Sequence, residues 1–278
     1  MLEVGDIIGY MEKIAPRALA ETWDNVGLQV GSRHWPVRLM WVALDPDPRV
    51  IDAAVRAGVD LIITHHPLIM DPLKRIDLDT PGGAALAAAI EHRVAIFSAH
   101  TNFDAVSGGT NDILARCLGL DELEAFIPRA AHTGAGPPAG EAGSSAVGIG
   151  RKGRLAAPHS LAELGARLKA ALATDQIRMV GDAALEVQQV ALCTGSGGSL
   201  VNHFISSDAQ AYITGDVKYH QAREIEIAGK GLLDIGHFAS EHLAVEPLVK
   251  RLQELVTRRD EDLRIEACRL EQDPFDNL

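Results

Sequence analysis

The sequence lacks the features of a secreted or membrane-bound protein. Cysteine is rare, with only Cys117, Cys193 and Cys268 among 278 residues. Because three widely spaced cysteines do not build a disulfide framework, we expect reduced thiols and a cytoplasmic location. No apolar run approaches the roughly 18 residues that cross a bilayer. The first residues also lack the basic start and apolar run of a signal peptide, so we expect no membrane partner.

Positive charge is also scarce. The chain carries 26 Lys and Arg residues against 38 Asp and Glu residues, which gives a formal net charge of −12. Proteins that bind nucleic acid through its phosphates need a basic surface, so this balance argues against a nucleic-acid partner. The length is sufficient for a large core in one or two domains.

Two adjacent histidines, His65 and His66, follow a short apolar run at residues 61–64. The run is rich in β-branched residues, which predicts a buried strand. A predicted helix at 48–58 and an apolar run at 37–44 precede it, so the three segments form a strand–helix–strand unit with parallel strands. Chemistry in such sheets lies beyond the carboxyl ends of the strands. Adjacent side chains diverge, so the two imidazoles suit two metal ions better than one, although surface or capping histidines are the alternative.

The alternation of strands and helices continues along the chain and predicts an α/β fold. We expect two similar α/β lobes at residues 1–125 and 191–278, a connecting segment at 126–190, and a metal site in the cleft between the lobes. Residues 132–145 are rich in Gly, Ala, Pro and Ser, which is typical of a flexible loop. Further predicted elements are helices at 6–15, 83–92, 109–118, 161–172 and 240–257, helices that end near 206 and 228, and strands at 94–98, 187–193, 211–213, 232–235 and 263–270.

Three more residues at predicted strand ends have metal-binding chemistry. His237 and Glu241 are four residues apart, so a helix that begins near His237 places both side chains on one face. Asp104 follows the predicted strand at 94–98. Taken singly, these residues have ordinary explanations, namely an exposed i,i+4 pair and a turn aspartate. Imidazole nitrogens, together with a carboxylate that bridges two cations, are nevertheless the donors that a pair of divalent ions requires.

His100 and His220 also lie near predicted strand ends. They are candidates for proton transfer or for supporting the ligands, and a hydrogen-bonded loop histidine or a helix-surface histidine is the alternative for each. The glycine-rich segment 195–198 follows a predicted strand, where its amides can bind an anion. A tight strand-to-helix turn is the simpler interpretation, because the segment matches neither the Rossmann nor the P-loop pattern.

Short motifs occur in a characteristic order through nearly the whole chain. They are WDNVGLQ at 23–29, THHP at 64–67, HTNFD at 100–104, GGTND at 108–112, GIGR at 148–151, GSG at 195–197, TGD at 214–216, GH at 236–237 and SE at 240–241. The series resembles the GTP cyclohydrolase 1 type 2 homologue family, also described as Nif-three-like proteins. Phe103 stands where leucine is common in that family, a difference that should change packing and little else.

The resemblance implies a two-lobed α/β fold with a dinuclear metal site and, in many members, a ring-shaped hexamer. The ligands that it implies are His65, His66, Asp104, His237 and Glu241. Glu241 would bridge the two ions, and His65 and His66 would serve different ions. The implied cofactors are two divalent ions per subunit, drawn from zinc, iron, manganese, cobalt or nickel.

We therefore expect a dinuclear metal-dependent hydrolase that acts on a small molecule. Water made more acidic by two ions about 3.5–4 Å apart would be the nucleophile, and Glu241, His100 and His220 are the catalytic candidates. Ring opening of GTP, phosphoester hydrolysis and amide hydrolysis are all compatible with this chemistry. The alternative is a non-enzymatic metal-binding or regulatory scaffold that forms a ring oligomer.

Overall fold

The fold is known from a computed structural model that describes residues 1–129, 147–256 and 262–276. The predicted flexible loop at 132–145 lies outside the described residues. Within the described part of the chain, no helix is both long enough and apolar enough to span a bilayer.

The chain forms two compact units that are discontinuous in sequence. The first unit consists of Met1–Phe103 and Ala244–Gln272, and the second consists of Asp104–Leu243 and Asp273–Leu278. The predicted domain boundaries at 125 and 190 stay a prediction.

Helices and strands both occur throughout the described residues, which confirms the predicted α/β fold. Up to residue 105 they are β1 (Leu2–Glu3), α1 (Val4–Ile14), β2 (Gly27–Val30), β3 (Pro36–Val37), β4 (Leu39–Ala43), α2 (Pro48–Ala57), β5 (Leu61–Thr64), α3 (Pro81–Glu91), β6 (Ala95–Ser98) and α4 (Thr101–Ala105). They continue with α5 (Thr110–Leu118), β7 (Leu120–Pro128), β8 (Gly148–Ser160), α6 (Leu161–Leu172), β9 (Arg178–Val180), β10 (Glu186–Ser196), α7 (Val201–Ser206), β11 (Ala211–Gly215), α8 (Tyr219–Ile227), β12 (Gly231–Asp234), α9 (His237–His242), α10 (Val245–Val256) and β13 (Arg264–Ala267).

The first unit is built on a five-stranded sheet in the order β13–β4–β5–β6–β2. The first four of these strands are parallel, and β2 runs antiparallel to β6, which confirms the predicted parallel unit. Ala43 pairs with Thr64, and Thr64 pairs with Ser98. The carboxyl ends of β4, β5 and β6 therefore lie at the same level.

The second unit is built on a six-stranded sheet in the order β7–β8–β10–β11–β12–β9. The strands β10, β11 and β12 are parallel, and the other three run antiparallel to their neighbours. Thr214 pairs with Asp234, so β11 and β12 also end at one level. Apolar clusters cover both faces, because adjacent residues such as Tyr212 and Ile213 point to opposite sides of the sheet.

Local sequence signals explain where several helices begin and end. The Asp47 carboxylate caps α2 by accepting from the N–H groups of Arg49 and Val50, and Gly58 ends the helix in the left-handed conformation. Ser160 and Glu163 form a capping box at the start of α6. The predicted bounds of β5 and α6 accordingly agree with the observed ones.

The predicted helix at 240–257 is wrong as a single element. The structure has two helices there, α9 and α10, separated by Leu243 and Ala244. The break coincides with the point where the chain leaves the second unit and returns to the first. The helix α9 belongs to the second unit and α10 to the first, and each has buried side chains. A single straight helix could not belong to both units.

The strands β7, β8 and β9 have no counterpart among the predicted elements. β7 contains the acidic stretch 121–124, where the register with β8 shifts between Asp121 and Glu124. This irregularity interrupts the alternation of apolar and polar residues that identifies a strand in a sequence.

Arg151 in β8 is the largest fully buried side chain of the second unit. Its Nε donates to Asp112, whose side chain is 4% exposed, and its other nitrogens donate to backbone carbonyls that include Gly148 at 3.0 Å, Gly150 at 2.8 Å and Val106 at 2.8 Å. The guanidinium thus ties β8 to the chain around α4 and α5 while it neutralises a buried carboxylate.

We expect Arg151→Met to lower the free energy of unfolding by about 3–5 kcal/mol, because it leaves Asp112 as a buried charge without its cation. Urea denaturation followed by circular dichroism measures this change. The exposed Lys169→Met on α6 is the control and should change stability by less than about 0.5 kcal/mol. The double variant D112N/R151M should lose less than the sum of the two single variants, and strict additivity would contradict the interpretation.

Candidate metal centre

Three imidazoles come together at the carboxyl edge of the first unit's sheet. His65 and His66 follow β5, and His100 lies two residues beyond the end of β6. The ring centroids are 5.1 Å apart for His65 and His66, 5.1 Å apart for His65 and His100, and 5.5 Å apart for His66 and His100. One nitrogen from each ring lies within 4.8 Å of the other two. These three side chains form a group that can hold a metal ion.

Each of these rings is oriented by an oxygen acceptor at its Nδ1. Carbonyl and carboxylate oxygens only accept hydrogen bonds, so each Nδ1 carries the proton and the neutral ring has its lone pair on Nε2. This is the arrangement typical of metal-binding histidines. The acceptors of His65, His66 and His100 are, in turn, the Ala99 carbonyl at 2.9 Å, Asp45 Oδ1 at 2.7 Å and Asp24 Oδ1 at 2.9 Å.

Asp45 is held in turn by the C-terminal part of the first unit. Glu271 Oε1 accepts from the backbone N–H of Asp45 at 2.7 Å and from that of Leu44 at 2.9 Å. These bonds satisfy backbone groups beyond the end of β4, where the strand ladder has stopped. They fix the backbone from which Asp45 reaches His66.

Asp24 fixes His100 through a side chain that is fully buried. Its side chain has no exposed surface, and its Oδ2 accepts from the backbone N–H of Thr101 at 3.0 Å and from the hydroxyl of the same residue. Burial by itself raises the pKa of this carboxyl, but the hydrogen bonds from His100 and Thr101 outweigh burial and lower the pKa from 3.8 to about 2. Asp24 is therefore a carboxylate at neutral pH.

In the second unit, α9 carries a histidine and a glutamate on one face. The helix begins at His237, as the four-residue spacing requires, and His237 Nε2 lies 3.1 Å from Glu241 Oε2. Two donors on one octahedral ion lie about 3 Å apart, because each bond is about 2.0–2.1 Å long. His237 Nδ1 lies 2.7 Å from Asp216 Oδ2. This fourth imidazole thus also has its Nδ1 at an oxygen acceptor, as the three in the first unit do.

A glycine makes room for the Glu241 carboxylate. Gly195 has φ +64, and a Cβ built there would lie only 2.1 Å from Glu241 Oε1. The Gly195 N–H donates to Ser240 Oγ at 2.8 Å, and that hydroxyl donates to the His237 carbonyl at 2.7 Å. The glycine-rich segment therefore accommodates a carboxylate of the protein, and a second anion in that place would be repelled.

The charges of Asp104 and Glu241 both raise the pKa of the Cys193 thiol in the second unit. Asp104 lies in α4 and accepts from the Thr110 hydroxyl, and its carbonyl accepts from Asn111 Nδ2 at 3.1 Å. Burial raises the pKa of the Cys193 thiol far above its ordinary value, and the charges of Asp104 and Glu241 raise it further. Both carboxylates are therefore near this buried cysteine.

The structure gathers most of the sequence-predicted residues into two sets, one in each unit. The first set is His65, His66 and His100. The second is His237 and Glu241 on α9, and Asp104 lies in α4 of the same unit. His220 is in neither set, since it lies exposed on α8 with its ring against that of Tyr219 at 5.4 Å.

Sequence reasoning missed the residues that orient the histidines. The sequence patterns do not single out Asp45, they contain Asp24 only within a motif, and they mark Asp216 only as a residue near the end of a predicted strand. A signal exists in retrospect, because Asp45 and Asp216 each follow the strand that neighbours the histidine-bearing strand in the sheet. Recognising it requires the strand order and register, which the sequence alone does not supply.

We expect Gly195→Ala to displace Glu241 and to weaken binding of a divalent ion such as Co²⁺ by about 10-fold or more. The control is Gly229→Ala, since Gly229 has a similar φ of +69 but nothing lies within 4 Å of a Cβ built there. Both variants should lose about 1–2 kcal/mol of stability from the left-handed backbone. Isothermal titration calorimetry with urea denaturation separates the two effects. Equal metal affinity in both variants would show that Gly195 does not position Glu241.

We expect Asp24→Asn to remove a pH-dependent part of the stability. Because the folded-state pKa of about 2 lies below the ordinary 3.8, ionised Asp24 stabilises the fold above about pH 4, and this contribution is lost as the pH falls through about 2. The difference in free energy of unfolding between wild type and D24N should be constant near neutral pH and shrink below about pH 4. Urea titrations at several pH values measure it, with the surface variant D52N as the control. A difference that does not change with pH would contradict the assignment.

Comparisons with known proteins agree with this architecture. A family model described as Duf34/NIF3 (NGG1p interacting factor 3) matches residues 2–274. A Clostridium perfringens protein named GTP cyclohydrolase 1 type 2 homolog is 34% identical over 275 residues, with 99% of each chain covered, and a Nostoc protein of the same name is 33% identical over 273 residues, with 95% of this chain and 98% of the relative covered. Among solved structures, a Bacillus cereus protein related to NIF3 has a TM-score of 0.90 at 27% identity, with 99% of each chain covered. The chain therefore belongs to the Duf34/NIF3 (NGG1p interacting factor 3) family.

Proposed function

We propose that this protein is a dinuclear divalent-metal-dependent hydrolase of a small molecule. In this proposal the two donor sets would serve one centre, Glu241 would be shared by both ions, and His65 and His66 would hold different ions. The observation that carries the metal function is the common orientation of the imidazoles, each with Nδ1 on an oxygen acceptor. The union of the two sets in a single centre rests on the family resemblance. The proposed ligands are His65, His66, Asp104, His237 and Glu241.

The donor chemistry fits divalent first-row metals. Imidazole nitrogens suit zinc, iron, cobalt and nickel, and the carboxylates of Asp104 and Glu241 add two negative charges that offset part of the charge of two cations. Glu241 is 4% exposed, and a buried carboxylate needs a cation or several hydrogen-bond donors. Bound divalent ions would supply Lewis-acid polarisation of a substrate oxygen and activation of water.

His100 is the proposed proton-transfer residue. Asp24 holds the Nδ1 proton, so Nε2 is the basic atom of the neutral ring. When Nε2 takes up a proton, the adjacent carboxylate stabilises the imidazolium, as in other aspartate–histidine pairs. His220 stays a prediction for this role, and its exposed position on α8 gives it no comparable acceptor among its described contacts.

The substrate class follows only in outline from the relatives. Several relatives carry the name GTP cyclohydrolase 1 type 2 homolog, so ring opening of GTP by addition of water is one reaction to test. Phosphoester and amide hydrolysis need the same polarisation and proton transfer. The proposal includes a cytoplasmic homo-hexamer, which the family resemblance supports.

We expect Glu241→Gln to abolish hydrolysis while it preserves the fold. The experiment offers metal-loaded protein GTP, other nucleotides, phosphodiesters and small cyclic amides, and the rate on any accepted substrate should fall by about 100-fold or more. Glu226→Gln on the surface of α8 is the control and should leave the rate unchanged. Elemental analysis should find two divalent ions per wild-type chain and fewer in E241Q.

The same preparations test the rest of the proposal. Circular dichroism and mass photometry should show one fold and one six-chain assembly for wild type and both variants. Wild-type protein that retains metal tightly but turns over no member of the panel would favour the scaffold alternative. Wild-type protein that binds no divalent ion would refute both.

A further inference from the structure

Trp23 is a large, solvent-exposed apolar side chain next to the cluster formed by His65, His66 and His100. It is 62% exposed, whereas Trp35 and Trp41 are partly buried. Its ring meets that of His100 nearly at right angles, with the centroids 6.0 Å apart and an angle of 76° between the planes. A perpendicular contact covers only a small part of an indole, so most of its π surface faces solvent.

The loop that carries Trp23 is held firmly in place. The neighbouring residue, Asp24, bonds to His100 and Thr101 from within the fold. On the other side, Asn25 Nδ2 donates to the Ile69 carbonyl at 2.6 Å, which ties the loop to the segment that follows the histidine pair. Because these bonds hold the chain next to Trp23, the loop loses little conformational freedom when a ligand covers the indole, and this is the property of a preformed binding surface.

We propose that Trp23 is a stacking surface for a planar heteroaromatic ring of the substrate, such as a nucleobase. The inference rests on the proposed function in one respect, since it places the substrate's ring beside the group that would carry out the chemistry. Flat aromatic rings stack on indole with about 1–3 kcal/mol per base, and they do so without a particular pattern of hydrogen bonds. Trp23 would therefore select the shape of a ligand ring and hold it next to His100.

The surroundings of Trp23 favour a ligand ring without negative charge. They also favour an aromatic ring over an aliphatic group. Asp24, the next residue of the loop, is a carboxylate, and the protein has a net charge of −12, so an anionic ring would be repelled. An aliphatic ligand would gain from burial alone, whereas an aromatic ring also gains from the face of the indole and from the imidazole edge. Nucleosides without phosphate are therefore suitable probes of this surface.

The test uses tryptophan fluorescence in the variant W35F/W41F, in which Trp23 is the remaining indole. Adenosine and inosine should quench the emission in a saturable way, and ribose, which has no aromatic ring, should not. A second readout is nucleoside affinity by calorimetry, which should fall by about 10-fold in W23L and much less in W23F. The variant W41F, with Trp23 intact, is the matched control and should bind as wild type does.

The outcomes separate this inference from the proposed hydrolase. Quenching without turnover of any substrate would support the stacking surface while the hydrolase proposal fails. Turnover of an aromatic substrate with an unchanged KM in W23L would refute the stacking surface while the hydrolase proposal stands. Failure of both nucleosides to quench, or a change of assembly mass in W23L that shows Trp23 to be buried between subunits, would also refute it.

Discussion

One interaction recurs in both units and determines where their imidazoles point. A carboxylate that follows one parallel strand accepts the Nδ1 proton of a histidine that follows the next strand. Asp45 and His66 form this pair beside β4 and β5, and Asp216 and His237 form it beside β11 and β12. The interaction depends on strand register, because only strands that end at the same level bring both side chains within 2.7 Å. The parallel cores of the two sheets are thus a requirement for the donor geometry as well as for stability.

The polar residues near the candidate centre are arranged so that burial is compensated. Asp24 is fully enclosed but has the His100 and Thr101 donors, which keep it ionised. Glu241 has space only because Gly195 has no side chain, and the Ser240 hydroxyl links the backbones of Gly195 and His237. A side chain at Gly195 or the loss of a donor would move Glu241 or a histidine by more than a metal site tolerates. This region of the sequence therefore has little freedom to vary.

The sequence reveals the strand ends and the donors on them, because both depend on short-range patterns. The run at 61–64 is apolar and β-branched, and the structure has β5 there with His65 and His66 beyond it. The orienting partner of His66 depends on a register between β4 and β5 that no local pattern specifies. The division between α9 and α10 likewise depends on which unit buries each helix, and the acidic β7 is a strand only because β8 pairs with it. What the sequence conceals is the long-range pairing, and with it the residues that orient the histidines.

The late position of β13 has a consequence for biosynthesis. This strand, residues 264–267, is the parallel neighbour of β4, and Glu271 binds the backbone of Leu44 and Asp45. A ribosome makes the chain from its N-terminus, so every strand of the second unit's sheet is translated before β13 emerges. The end of β4 that supports Asp45 therefore stays unfinished on the nascent chain until the second unit's sheet has been translated, and only then can the first unit gain its complete set of oriented histidines.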